Sequence, residues 1–145
     1  MKKVLLGILV VIILIQFFIP EKNTSNIETN DISSVMEVPN DVIEIIKTSC
    51  ADCHSNNTKY PWYSEIAPVS WFLAQHVNEG KEHLNFSEWA AYNNDQQNHI
   101  LKDLKKELKK QGMPLDSYLW IHKNAKMTNA QYETLLNWVN TIPSV

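Results

Sequence analysis

The stretch Lys47-Thr48-Ser49-Cys50-Ala51-Asp52-Cys53-His54-Ser55-Asn56-Asn57 contains both cysteines of this 145-residue chain. The two cysteines are separated by two residues, and a histidine follows the second directly. Upstream, apolar side chains recur at helical spacing from residue 42, which predicts a helix over Asp41 to Ser49 with Asn40 as its N-cap. Both thiols extend the apolar face of that helix, so we expect them on one helical turn.

A Cys-x-x-Cys-His pattern is the attachment signature of c-type haem. Thiols at positions i and i+3 project from the same turn of a helix, so each can add to one of the two vinyl groups on neighbouring pyrroles of a haem. The next residue, His54, would then supply an imidazole nitrogen as an axial ligand of the iron. The motif therefore predicts one covalently bound haem c, attached at Cys50 and Cys53, with its iron held by His54.

Three other kinds of site could use the same cysteines. A disulfide across two intervening residues closes so short a loop that it adds little stability. A thioredoxin-like redox pair needs a preceding strand and a βαβ pattern, whereas the residues here are helical. A zinc site needs four ligands, and His76 and His83 are seven residues apart and far downstream of the cysteines. The haem site is the interpretation that the pattern favours.

Methionine often supplies the second axial ligand in c-type haem sites. Met113 lies between Gly112, which is expected to end a helix, and Pro114, which prevents the helix from resuming. A thioether on so stiff a loop is well presented to a metal, so we predict Met113 as the second ligand; gap-filling in the core is the alternative. Met127 is expected to pack as a hydrophobic staple at the start of the last helix.

Aromatic and histidine side chains are candidates for the wall of a haem crevice. Tyr60, Trp62 and Tyr63 follow soon after the motif, and rings with a polar tip suit the rim of a crevice; a packed loop is the alternative. Because the chain has no arginine, Lys59 or an aromatic donor would have to bond the haem propionates. His76 lies on an apolar helical stripe and is expected to be buried, with iron ligation as the alternative to a structural role. His83 and His99 are expected at the surface. A structural role is expected for His122, with a position at the haem edge as the alternative.

The N-terminus reads MKKVLLGILVVIILIQFFIPEKN, in which residues 4–19 carry no charge. This run is slightly short for a transmembrane helix of roughly 17–25 residues and slightly long for a signal-peptide core of about 7–15 residues. No small-x-small cleavage site follows, so we favour an uncleaved anchor helix over residues 1–19, with a cleaved signal as the alternative. Lys2 and Lys3 would hold the N-terminus in the cytoplasm. The prediction is a single-pass protein of the cytoplasmic membrane whose C-terminal domain faces the periplasm or the cell exterior.

The rest of the chain divides into a linker and one domain. Residues 20–35 are polar and lack periodicity, which predicts a flexible tether. Residues 36–145 carry helix signals and almost no strand signals, so the fold class is all-α: a small cytochrome c-like domain of four to five helices around the covalent haem, preceded by the transmembrane helix. Besides the helix before the motif, helices are expected from Pro68 to Gly80, from Asn94 or Asp95 to Gly112, and after the capping box Thr128-Asn129-Ala130-Gln131.

The charge distribution narrows the kinds of partner. The chain has a formal net charge of −3. Residues 21–95 carry twelve acids and four lysines, whereas the chain from residue 96 onwards carries four acids and seven lysines. This distribution argues against nucleic acid as a partner and suggests docking to a charged protein, with an ordinary solvated surface as the alternative.

Several separated motifs, in order, resemble the small exported haem-binding domain proteins of bacteria. The resemblance covers residues 36–142 and includes the anchor segment. The residues that carry it are Cys50-x-x-Cys53-His54-Ser55-Asn56-Asn57-Thr58, Tyr60-Pro61-Trp62-Tyr63, Pro68, His76-Val77-x-x-Gly80, Leu84-Asn85-Phe86-Ser87-x-Trp89, Met113-Pro114, Tyr118 and His122-x-x-Ala125. The resemblance implies a monohaem c-type cytochrome with covalent haem at Cys50, Cys53 and His54, and makes Met113 the expected distal ligand.

The expected function is electron transfer by a membrane-anchored cytochrome, with redox proteins outside the cytoplasm as partners. An electron carrier is favoured over an enzyme, because iron bound by both His54 and Met113 has no open coordination site. The alternative is a haem-based ligand sensor or a peroxidase-like enzyme with a displaceable sixth ligand.

Overall fold

The computed structural model describes residues 1–143 of the chain, and within them the regular structure is helical. Eight α-helices occur in this range: α1 (Lys2–Ile15), α2 (Ile32–Val35), α3 (Asn40–Ser49), α4 (Ala51–His54), α5 (Val69–His83), α6 (Asn94–Lys110), α7 (Asp116–Leu119) and α8 (Asn129–Thr141). Short 3-10 helices cover Trp62–Glu65, Phe86–Ala91 and Lys123–Ala125. The prediction of an all-α fold is confirmed for the described residues.

The predicted transmembrane helix is wrong. No helix among residues 1–143 is long and apolar enough to cross a membrane. Helix α1 has 14 residues, and at a rise of 1.5 Å per residue it extends about 21 Å, against a hydrocarbon core roughly 30 Å thick. The prediction of a single-pass protein of the cytoplasmic membrane is wrong for the same reason.

The segment expected to be a flexible tether makes tertiary contacts in the structure. Thr24 forms an isolated antiparallel bridge with Asn57, and the Thr58 amide donates to the carbonyl of Asn23 at 2.9 Å. Further along, the Ala90 amide donates to the carbonyl of Asn30 at 2.9 Å, and Ile32 is buried in the core. Residues 23–32 therefore pack across the chain that follows the cysteine motif.

The long helices occur where the sequence predicts them, with differences at their ends. Asn40 is the first residue of α3 rather than its cap, because Pro39 already has the extended conformation that precedes a helix. Helix α5 continues through Gly80 to His83. Helix α6 begins after a capping box at Asn93 and ends at Lys110, where the C-cap residue Gln111 has a left-handed φ of 53°. The predicted capping box at Thr128 is confirmed.

One apolar core joins the helices and fixes the position of the motif. Helix α3 contributes Val42, Ile45 and Ile46, and packs on both α4 and α8; α6 packs on α8, and α4 packs on α5. The core is completed by residues from all parts of the domain: Ile32, Val38, Leu84, Phe86, Trp89, Ile100, Leu101, Leu108, Met127, Leu135, Trp138, Val139 and Ile142. The short helix α4, which carries the second cysteine and the histidine, is thereby held between α3 and α5.

Candidate functional site

The cysteine motif forms a single helical turn. The backbone leaves α3 at Cys50, where φ is −124°, and re-enters a helix at α4. The amides of Cys53 and His54 both donate to the carbonyl of Cys50, at 3.2 and 3.0 Å. This geometry agrees with the expectation that both cysteines lie on one turn, with His54 directly after it.

Helix α5 approaches this turn unusually closely at Gly80. A Cβ at this position would lie 2.6 Å from the carbonyl oxygen of Cys53 and 3.0 Å from the Cβ of Cys53. Such distances are below van der Waals contact, so only glycine lets α5 and α4 meet here. The sequence predicted Gly80 as a helix exit, whereas its role in the structure is this close approach.

The imidazole of His54 is oriented by the backbone. Its Nδ1 lies 2.9 Å from the carbonyl oxygen of Leu84, which accepts a hydrogen bond only if Nδ1 carries a proton. With the proton on Nδ1, the Nε2 atom of the neutral ring keeps a free lone pair. A neutral imidazole of this kind is the form that binds a metal. Burial lowers the pKa of His54, against the opposing effect of the carbonyls of Leu84 and Gly80, and so favours the neutral ring.

Neither cysteine is in a disulfide, and both thiols are held in their protonated form. Burial, reinforced by the neighbouring Cys53, raises the pKa of Cys50 to about 12. Burial and the adjacent carboxylate of Asp52 raise the pKa of Cys53 to about 11. A thiol with so high a pKa is a weak nucleophile at neutral pH, which argues against a thioredoxin-like redox pair.

Asp52, between the two cysteines, connects the motif to later parts of the chain. Its Oδ2 accepts a hydrogen bond from the hydroxyl of Tyr118 at 2.7 Å, and its Oδ1 accepts from the amide of Lys59 at 3.2 Å. Its carbonyl accepts from the hydroxyl of Thr58 at 2.6 Å. Sequence reasoning gave Asp52 no role, because a carboxylate at a variable position of the motif carries no signal by itself.

An aromatic cluster extends from Asp52 to the loop after the motif. The rings of Tyr118 and His122 stack with centroids 4.2 Å apart, and His122 Nε2 lies 2.6 Å from the hydroxyl of Tyr63. Burial, together with the hydrogen bond and the negative charge of Asp52, raises the pKa of Tyr118 well above its usual range. Asp52, the residue before Cys53, joins this cluster to the motif.

A cavity of about 450 Å³ opens beside this cluster. It is lined by Asp52, Lys59, Tyr60, Tyr118 and His122, among others. The expected donors to haem propionates, Lys59 and an aromatic side chain, therefore share one cavity wall with Asp52. Trp62 is 76% exposed and does not line this cavity.

The loop that carries Met113 is fixed by α8. The hydroxyl of Tyr132 donates to the carbonyl oxygen of Met113 at 2.8 Å. Burial raises the pKa of Tyr132 above its usual value. The side chain of Met113 is 38% exposed. Its assignment as an iron ligand stays a prediction.

His76 bonds within its own helix. Its Nδ1 lies 2.9 Å from the carbonyl oxygen of Phe72, and the two rings have centroids 4.1 Å apart. It is half-buried, whereas its place on an apolar stripe predicted a buried residue, and its role at the haem site stays a prediction. His99, expected at the surface, is exposed and lies 3.3 Å from the carboxylate of Asp103.

A buried polar network holds the chain after the motif, and sequence reasoning missed it. Asn56 is buried. Its side-chain nitrogen donates to the carboxylate of Glu88 at 2.6 Å and to the carbonyl of Ile27 at 3.1 Å. Its side-chain oxygen accepts from the side-chain nitrogen of Asn85 at 2.8 Å. The backbone amide of Asn56 donates to the hydroxyl of Ser87 at 3.1 Å. The signal available was the pair of short polar stretches, Ser55-Asn56-Asn57 and Leu84-Asn85-Phe86-Ser87, that the family resemblance singled out.

Comparison with known families identifies the class of site. A family model described as a haem-binding domain matches residues 10–141. The chain belongs to the haem-binding domain family. No curated protein and no solved structure matches it. The match confirms the family resemblance that the motifs suggested and supports haem as the cofactor.

The residues of this haem-binding domain fit a haem next to the motif. The turn offers two unpaired thiols and an imidazole whose proton is on the nitrogen that faces Leu84. After Met113 the chain exposes large apolar side chains that the protein itself does not cover: Leu115, Trp120 and Ile121. Among residues 1–143, no group of three or more histidine, cysteine or acidic side chains is placed to hold a metal ion.

Proposed function

We propose that this haem-binding domain is a monohaem c-type cytochrome that transfers electrons. The observation that carries the proposal is the turn Cys50–His54, in which two free, protonated thiols precede an imidazole oriented by the carbonyl of Leu84. Cys50 and Cys53 would hold the haem through two thioether bonds, and His54 would ligate the iron through Nε2. When bound, the haem supplies a one-electron iron couple.

Met113 is the proposed second ligand, and its loop supports that role. The carbonyl of Met113 is fixed by Tyr132, and Pro114 follows, so few conformations are open to the backbone here. A thioether ligand favours the reduced iron and raises the reduction potential relative to a second histidine. With both axial positions taken by this chain, electron transfer needs little rearrangement, which suits a carrier better than an enzyme.

Covalent attachment is tested by extraction. The full chain is expressed in a host that carries haem-attachment machinery and is then treated with acidic acetone. We expect the haem mass to remain on the chain, with the pyridine haemochrome spectrum of two thioether links. A Cys50→Ala/Cys53→Ala variant should release any haem it binds. A wild-type chain that carries no porphyrin would disprove the proposal.

The second ligand is tested by spectroscopy. A ferric haem with histidine and methionine ligands shows a weak far-red charge-transfer band. Met113→Ala should abolish this band, whereas Met36→Ala, a methionine elsewhere in the chain, should leave it. Carbon monoxide added to the reduced wild type separates the two functions: rapid, complete binding would indicate a ligand sensor or a peroxidase-like haem instead of a carrier.

A further inference from the structure

We propose that α6 is a docking surface for the acidic face of a partner protein, and that this partner exchanges electrons with the haem site. The second half of this statement rests on the proposed function above. Helix α6 carries lysines at positions 102, 105, 106 and 109, the i, i+3, i+4, i+7 spacing that puts side chains on one face of a helix. These lysines, with Lys110 and Leu101, line a shallow groove along the helix. We call Lys102, Lys105, Lys106 and Lys109 the lysine stripe.

The stripe is not neutralised by the protein's own acids. Among residues 1–143, the ion pairs on α6 join His99 to Asp103 and Lys110 to Glu107, at 3.3 and 3.6 Å. No member of the stripe has an ion-pair partner within the described chain. Like charges four residues apart destabilise a helix by about 0.2–0.5 kcal/mol per pair, and the stripe contains two such pairs. The repulsion between these lysines therefore lowers the stability of α6, and no ion pair among the described residues offsets it.

The helix dipole explains only part of the stripe. Lysine in the last turn of a helix is favourable because it faces the negative end of the dipole, and this accounts for Lys109 and Lys110. The effect fades within one turn. Lys102, Lys105 and Lys106 lie further from the helix end, so a binding role explains them better than the dipole does.

The charge of the rest of the chain favours a protein partner over an extended polyanion. The stripe runs from residue 102 to residue 109, about 10 Å along the helix axis. The chain as a whole has a net charge of −3, with twelve acids against four lysines in residues 21–95, so its overall charge does not favour a duplex or an anionic bilayer. A protein can confine its acidic groups to a patch of matching size, which makes it the better complement.

The position of the stripe connects it to the proposed haem site. Helix α6 ends at Lys110, and Met113 follows three residues later. Helix α8, which packs on α6, holds the carbonyl of Met113 through Tyr132. Lys109, the last residue of the stripe, is four residues from Met113 in the chain and so lies within about 14 Å of it. A partner docked over this end of the stripe would therefore lie near the loop that carries the proposed iron ligand.

The first test measures binding of an acidic probe to the full-length, haem-loaded protein. The probe is a fluorescent decaglutamate peptide, and its anisotropy is followed at about 20 mM and about 150 mM salt. We expect Lys102→Gln/Lys106→Gln to weaken binding about 3- to 10-fold at low salt. The control, Lys123→Gln/Lys126→Gln, removes two equally exposed lysines outside the stripe and should weaken binding less than about 2-fold.

Two results would overturn the docking surface. One is an equal loss of affinity in the stripe variant and the control, since the peptide would then sense net charge alone. The other is stripe-dependent binding of duplex DNA or of phosphatidylserine vesicles that is stronger than binding of the peptide, which would assign the stripe to another class of partner.

The second test asks whether docking occurs at the redox site. The reduced protein is oxidised by hexacyanoferrate(III), an anion that the stripe should attract. We expect the stripe variant to react about 2- to 5-fold more slowly at low salt, and decaglutamate to slow the wild type but not the variant. Unchanged rates would overturn the redox role of the partner. If the purified chain carried no haem, the proposed function would be wrong. Binding of the peptide to that haem-free chain would still test the docking surface.

Discussion

At the scale of single residues, Gly80 determines how closely α5 can approach the cysteine motif. Alanine has the higher helix propensity, by about 1 kcal/mol, so Gly80→Ala would stabilise an isolated α5. In the folded chain the new Cβ would meet the Cys53 carbonyl at 2.6 Å, and a backbone atom cannot move aside cheaply. We expect a net destabilisation of about 1–2 kcal/mol in urea unfolding, with a lower yield of attached haem.

Gly7→Ala is the matched control for this prediction. Gly7 lies in α1, and no atom lies within 4 Å of the position its Cβ would take. The same change should therefore leave the free energy of unfolding of the domain within about 0.5 kcal/mol. Equal effects of the two substitutions would show that close packing at Gly80 is not what selects glycine there.

The two thiols provide a prediction about pH at the same scale. In the haem-free chain their pKa values, about 12 for Cys50 and about 11 for Cys53, leave almost no thiolate at pH 8. We expect both to react slowly with a disulfide reagent in the native chain, and much faster in denaturant, where the pKa values return to about 8.5.

The same shifts make the haem-free fold sensitive to alkali. A thiol pKa raised by folding stabilises the fold fully below the pKa of the unfolded chain, and this stability is lost as the pH rises towards the folded pKa. Stability should therefore fall between about pH 9 and pH 12. The haem-loaded protein should show neither effect, because thioether sulfurs do not titrate. Rapid native-state reaction at pH 8 would contradict the buried position of the thiols.

At the scale of elements, α7 is attached to the motif through one side-chain bond, from Tyr118 to Asp52. Hydrogen bonds to charged groups contribute about 1.5–3 kcal/mol when buried, and this half-buried one should contribute about 1 kcal/mol. Tyr118→Phe should therefore lower the free energy of unfolding by about 1 kcal/mol. Tyr132→Phe, which removes a bond to a neutral carbonyl, should cost about half as much. A larger loss of unfolding free energy for Tyr132→Phe than for Tyr118→Phe would show that the bond to Asp52 does not hold α7 in place.

Sequence patterns predicted where the helices lie, but they did not predict the contacts between the helices. The apolar stripe before Cys50 and the capping box at Thr128 depend on neighbours within five residues, so both could be read from the sequence. The role of Gly80 could not be predicted from the sequence, because it depends on a contact with Cys53, which is 27 positions away. Asp52 and Asn56 bond to residues 66 and 29–32 positions away, and short polar side chains give no periodic signal.

At the scale of the whole molecule, local composition misled the interpretation of the N-terminal third. An uncharged run suggested a membrane helix, but α1 ends at Ile15, where Gln16 turns its side chain towards the domain. The amide of Gln16 exchanges two hydrogen bonds with the backbone of Ala67, at 2.9 and 3.1 Å. A polar stretch suggested a free tether, but Asn23 bonds the hydroxyl of Tyr60 and the amine of Lys81. These contacts join residues more than 35 positions apart, so no local pattern could show them. The tether itself stays a prediction.

These contacts predict that two truncations will differ in stability. Comparing the two truncated chains tests the domain boundary at residue 36. Removing residues 1–15 deletes α1, which buries none of its side chains, so the free energy of unfolding should change by less than about 0.5 kcal/mol. Removing residues 1–35 also deletes buried Ile32 and the bonds made by Asn23 and Asn30. Burial of an isoleucine side chain contributes about 1.5–3 kcal/mol and each hydrogen bond about 1 kcal/mol, so this truncation should cost at least 3 kcal/mol.

Urea unfolding of both truncated chains, followed by tryptophan fluorescence, measures the difference. The double substitution Asn23→Ala/Ile32→Ala in the full chain separates these contacts from chain length and should reproduce about half of the larger loss. If the chain that starts at residue 36 were as stable as the full chain, residues 20–35 would be a tether despite their contacts. The segment would then have no part in holding Asn57 and Thr58 beside the cysteine motif.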